Sequence, residues 1–266
     1  MTDVNPRSVP RITVAIDASR RSLQALRTAA DVAARVQAHL MALFVEDVNL
    51  FSLAQLPFAS ELDRASGNPR RLDADGIARA VHADVERVRQ LLHAESERHG
   101  ITTSLKVVRG HYVAAAMEAA GDTDMVFLSS TTRTFEALGV VARTRRRAVN
   151  CAEVSKLTWT MFDGSPAADR ALALARDFSA KRKCELVIMI PDHEQFESLH
   201  RKAQSLLGAS PARYAPIAAL EAEEITKVMA AQECALFVLP RGESSLCNEL
   251  PTFLLDKLTC PLVMVS

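Results

Sequence analysis

Two stretches, Ile12-Thr-Val-Ala-Ile-Asp17-Ala-Ser19 and Leu157-Thr-Trp-Thr-Met-Phe-Asp163-Gly-Ser165, decide the fold of this chain. Each is an apolar run that ends in Asp-x-Ser and opens into an alanine-rich amphipathic stretch. After the first, Leu23, Leu26, Ala29, Ala30, Ala33 and Val36 recur at helical spacing; after the second, residues 167–180 read the same way. Each stretch then reaches a second apolar run, Leu40-Met-Ala-Leu-Phe-Val45 or Leu186-Val-Ile-Met-Ile190. Strand, helix and strand form a βαβ unit, whose crossover makes the two strands parallel. The duplication predicts an α/β protein of two doubly wound, Rossmann-like parallel-sheet domains in tandem, at 9–155 and 156–266. It also predicts two related, unequal sites.

The remaining elements extend this order. Residues 77–99 read as a long charged helix ended by Gly100, 105–108 as a strand, 113–120 as a helix and 125–128 as a buried strand. The second half follows in shorter form, with a reduced helix at 196–207, a weak strand at 214–218 broken by Pro216, a helix at 221–232, a buried strand at 235–239, a helix at 253–258 and a terminal strand at 261–265. That last strand has no clear counterpart in the first half, where 149–154 is a poor candidate. One sheet therefore lacks an edge strand or borrows one. Between Asp47 and Asp75 the prolines, serines and exposed-looking Phe51 and Phe58 suggest a long, lid-like excursion, and residues 1–10 suggest a loosely attached arm.

Composition excludes several classes. The 32 basic residues equal the 32 acidic ones, so no nucleic-acid partner is indicated, and the Arg143, Arg145, Arg146 and Arg147 group suits a solvated or inter-domain face. No window is apolar enough for a membrane span or signal peptide, which points to the cytoplasm. Cys151, Cys184, Cys234, Cys247 and Cys260 are scattered and odd in number, which favours buried thiols over disulfides or metal ligands. No two of the nine glycines lie closer than Gly67 and Gly76. This removes the dinucleotide fingerprint, the P-loop and the G-x-S-x-G elbow. The pair His193 and His200 lacks H-E-x-x-H spacing, so no metal is expected.

Asp-x-Ser after the first strand, the alanine-rich helix and the close Cys260-Pro261-Leu-Val-Met-Val265 together resemble the universal stress protein family. The resemblance implies five-stranded parallel sheets in the order 3-2-1-4-5, contacts between halves through the fifth strands and, for some members, a bound ATP. It implies that Asp17 contacts the base or ribose of a nucleotide and that Val45 lines the adenine pocket. The alternatives are a helix-capping aspartate and a plain core valine. The family's phosphate loop, Gly-x-x-Gly followed by nine residues and Gly-Ser/Thr, is degraded here. In the first half only Gly139 survives of it, and in the second Pro240 removes an amide donor while Glu243 would repel a phosphate.

What the first half offers in its place is the turn Ser129, Ser130, Thr131, Thr132 and Arg133, whose hydroxyls, amides and guanidinium suit a phosphate or sulfate. A polar turn satisfying its own backbone is the plainer reading. The expectation is a non-enzymatic stress-response or regulatory protein that binds an adenine nucleotide, ATP or AMP, weakly or not at all, through Asp17, Val45, Ser129, Ser130, Thr131, Arg133 and Gly139. It is an intramolecular pseudo-dimer, which also admits a homodimer of tandems. The alternative is a scaffold that recruits a protein partner through the 47–75 excursion. A small nucleotide hydrolase ranks last, since no nucleophile–base pair can be named.

Overall fold

The computed structural model describes residues 9–17, 19–54, 56, 60–62, 69–71, 74–121, 123–129, 157–192, 195–218, 221–229, 233–241, 246–258 and 260–266. The first half comprises β1 (Arg11–Ile16), α1 (Arg20–Val36), β2 (His39–Asp47), α2 (Val48–Ala54), β3 (Ser60–Leu62), β4 (Pro69–Arg71), α3 (Ala74–His99), β5 (Thr103–Gly110), α4 (Tyr112–Ala120) and β6 (Met125–Leu128). The second comprises β7 (Leu157–Met161), α5 (Pro166–Arg182), β8 (Glu185–Pro191), α6 (Phe196–Leu207), β9 (Ala212–Ile217), α7 (Ala222–Met229), β10 (Cys234–Pro240), α8 (Leu246–Lys257) and β11 (Leu262–Val265). The boundary expected at 155/156 and the weak strand at 149–154 lie outside the described residues.

The two Asp-x-Ser turns fold alike because the same atoms are available in each. Asp17 Oδ1 accepts from Ser19 N at 3.0 Å, and Asp163 Oδ1 from Ser165 N at 2.9 Å. Each serine then caps its helix, Ser19 Oγ accepting from Ser22 N and Ser165 Oγ from Ala168 N. Both helices end on a left-handed residue, Gln37 and Lys183.

Among the described residues, nine strands form one sheet in the order β5-β2-β1-β6-β11-β10-β7-β8-β9. The first half's order, β5-β2-β1-β6, is repeated by β9-β8-β7-β10. Pairing is parallel except at one ladder, where β11 runs antiparallel to β6 from Leu262↔Leu128 to Val265↔Met125 while pairing parallel with β10. β11 thus fills the place beside β6 where a fifth strand of the first half would lie.

Each face of the sheet carries an apolar core drawn from both halves. One joins α1 and α3 to α5 and α6, around Leu26, Val88, Leu172 and Leu199; the other joins α4 to α7 and α8, around Ala116, Ile225 and Leu254. Polar clamps reinforce the junction: Ser266 N donates to Asp124 O, Ser266 Oγ to Thr123 O, Arg241 Nη1 to Gly121 O, and Lys181 pairs with Asp31 at 3.4 Å. Trp159, in β7, is 1 % exposed, and its neighbours Thr158 and Thr160 are buried as well, because the sheet is covered on both faces.

Three expectations need correction. Cys234 and Cys260 form a disulfide, with Cα atoms 5.6 Å apart, instead of remaining thiols. Residues 26 apart in sequence meet because β10 and β11 are neighbours. Phe51 is half-buried, its ring covered by the Arg109 guanidinium at 4.3 Å, because the excursion opens with α2, which packs on α3. The weak strand in the second half is β9, which starts at Ala212 and keeps Pro216 within an edge strand, where a missing N–H is tolerated.

Candidate functional site

The carboxyl ends of β1 and β6 form the switch point of the first half, since helices after β1 and before β6 pack on opposite faces. Three expected residues are described there or beside it. Asp17, just past β1, is 6 % exposed; its Oδ1 holds the Ser19 amide, while its buried Oδ2 accepts no hydrogen bond among the described residues. Val45, near the end of β2, is 3 % exposed and packs with Ala15, Leu43 and Leu128 in the α4-side core. Ser129, one residue past β6, is 1 % exposed. Ser130, Thr131, Arg133 and Gly139 lie outside the described residues, as do Thr132 and the arginines at 143–147.

The residue that joins these strand ends, Tyr112, was missed in the sequence. Its hydroxyl donates to Ala15 O at 2.8 Å, accepts from Ser129 N at 3.3 Å and lies 3.4 Å from Ser129 Oγ. Burial, with the Asp17 carboxylate adding to it, raises the phenol far above its ordinary value. The signal available was slight: one of two tyrosines, directly after Gly110-His111 at a helix start.

At the equivalent end of β7 the geometry differs. Asp163 is exposed, and Gly164 adopts φ +82°. Lys202, from α6, donates to Gly164 O at 2.7 Å, pairs with Asp169 at 2.8 Å and sits over the Phe162 ring at 5.7 Å. Sequence offered no sign of this, because Lys202 reads as a solvated helix position. Arg241, one residue past β10, clamps Gly121 across the junction. His200 is half-buried, edge-on to Tyr214 at 4.2 Å. No metal-binding group of three occurs among the described residues.

On the opposite face of β2, a cleft of about 260 Å³ is lined by Glu46, Phe51, Val81, His82, Val85 and Arg109. Arg109 is committed within it, pairing with Glu46 at 2.9 Å while it covers Phe51.

The model of the universal stress protein family matches residues 9–152, more than half of the chain. The chain belongs to the universal stress protein family. Its fold is similar to that of a universal stress protein from Archaeoglobus fulgidus DSM 4304, at TM-score 0.53 and 14% identity, with 96% of each chain covered. A functionally unknown protein from Pseudomonas aeruginosa PAO1 matches at TM-score 0.46 and 14% identity, over 97% of this chain and 92% of that one. A universal stress protein in complex with cAMP matches at TM-score 0.37 and 15% identity, over 42% of this chain and 96% of that one. No curated protein matches. Asp17 and Asp163 stand just past the ends of β1 and β7, with opposite exposure. No described helix is long and apolar enough to cross a membrane.

Proposed function

We propose that this universal stress protein is a stress-response or regulatory protein that acts by binding, without catalysis, and takes an adenine nucleotide, ATP or AMP, weakly at the strand ends of its first half. The observation that carries this reading is Asp17 Oδ2, a buried carboxylate oxygen with no donor among the described residues. An unpaired buried acceptor costs about 1–3 kcal/mol, and more when charged, so a ligand N–H or O–H placed there offsets an existing penalty. Weakness follows from the loop sequence, which lacks the paired glycines of a close phosphate cradle. The chemistry of the described strand ends is static: the Tyr112 proton is committed to Ala15 O, and no base activates Ser129.

The second half supports asymmetry between the sites. There Lys202 already engages Gly164 O and Asp169, and Asp163 lies in solvent. Partner recruitment through Phe51 has less support, because Arg109 already covers that ring. We further read the chain as an intramolecular pseudo-dimer. The halves run in opposite strand directions yet lay α1 and α5 on one face, the relation of a twofold axis normal to the sheet.

Calorimetric titration with ATP and AMP tests the site. One weak site lost in Asp17→Ala and kept in Asp163→Ala is expected. Sub-micromolar binding in both halves, or loss only in Asp163→Ala, overturns the proposal.

A further inference from the structure

We propose that Tyr112 is the positioning residue of the strand-end site: its hydroxyl stands between β1 and β6 just past their last registered pair and holds the ends apart as a one-oxygen bridge. The inference rests in part on the binding reading above, but the bridge itself is a property of the ligand-free chain. β1 and β6 stay in register from Ile12↔Met125 to Val14↔Phe127. The next groups, Ala15 O and Ser129 N, are both occupied by the Tyr112 hydroxyl, at 2.8 and 3.3 Å. Two hydrogen bonds in series therefore span a gap that a single ladder bond of about 2.9 Å would close.

The bridge is fully used. A phenol has one proton and two lone pairs; the proton goes to Ala15 O, and the oxygen accepts the Ser129 amide with Ser129 Oγ also in contact. Burial of the hydroxyl keeps it protonated and so keeps it a donor. The ring is anchored from the side, because Tyr112, like Val108, Val113 and Ala115, packs against the apolar core that includes Val45 and Leu128. Tyr112 begins α4, which follows β5, so the bridge links a third chain segment to the two strand ends. Ser129 and the free oxygen of Asp17 are thereby fixed relative to one another. Tyr112 itself has no proton to offer a ligand. Its effect on binding is exerted through Ser129 and Asp17.

The test is Tyr112→Phe, which keeps the ring and removes the hydroxyl, read first without ligand. Amide hydrogen exchange by NMR should accelerate at least tenfold at Ser129, with Val14 and Phe127 unchanged; unchanged protection at Ser129 overturns the bridge. If Tyr112→Phe fails to fold, shown by loss of protection throughout β1, the role is core packing and the proposal falls. The second reading is adenosine titration of wild type, Tyr112→Phe and Ser129→Ala. At least a tenfold loss of affinity in Tyr112→Phe, with a smaller loss in Ser129→Ala, supports positioning, whereas equal affinity in wild type and Tyr112→Phe overturns it. A wild type that binds no adenosine while the exchange difference holds removes the nucleotide reading and leaves the bridge standing.

Discussion

Replacing Leu262 by alanine should unsettle both halves at once. Leu262 is fully buried in β11, registered with Leu128 of β6 on one side and Phe237 of β10 on the other, and Phe237 is registered with Trp159. These four side chains lie in one apolar core across the junction. Removing three carbons loses about 2.4 kcal/mol of transfer energy at ~0.8 kcal/mol each, and the cavity left in a rigid sheet adds to it. The expected cost is about 3–4 kcal/mol. With a urea m-value of about 3 kcal/mol/M, the midpoint should fall by about 1 M. Trp159 is the chain's single tryptophan and reports on the second half, while far-ultraviolet circular dichroism reports on both. The shared cores predict coincident transitions by the two probes, in wild type and in Leu262→Ala alike. A variant in which the fluorescence transition shifts while part of the dichroism transition stays in place would refute the single cooperative unit.

Gly164→Ala should cost about 1–2 kcal/mol from the positive φ alone, and more because the new Cβ would stand 2.6 Å from Leu199 Cδ2; an unchanged thermal midpoint would count against that turn geometry. Both Tyr112 and Tyr214 are raised by burial, so the folded chain holds phenol protons that the unfolded chain releases near pH 10. Stability is fully present below about pH 10 and declines as pH rises above it, by up to about 1.4 kcal/mol per pH unit for a fully shifted group. Phenolate absorbance in native protein should lag behind a urea-unfolded control, and superimposed titrations would contradict the burial. Reducing the Cys234–Cys260 disulfide should remove about 3–4 kcal/mol, on loop-closure entropy for residues 26 apart, and a urea midpoint indifferent to a phosphine reductant would refute the bond's contribution.

What the sequence determined by itself was the local pattern and its duplication. β1, β2, β7 and β8 were legible because both faces of a parallel sheet are covered, so their residues form continuous apolar runs. The caps Ser19 and Ser165 are local in the same way, since a serine hydroxyl meets an amide three residues on, within a single turn. Asp17 could be placed at a strand end for the same local reason. Its burial, and the exposure of Asp163, could not, since the two turns share the same Asp–Ser hydrogen bond and burial is set by what distant segments bring against them. Tertiary structure alone decided that β11 closes onto β6 and makes one sheet of two halves, that Cys234 meets Cys260, that Lys202 reaches Gly164 and that Tyr112 spans Ala15 and Ser129. Each of these joins segments dozens of residues apart or sets one strand's neighbour. Such contacts carry no periodic signal, because many partners would satisfy the same hydrogen bond or bury the same area, and the choice among them is made only when the whole sheet assembles.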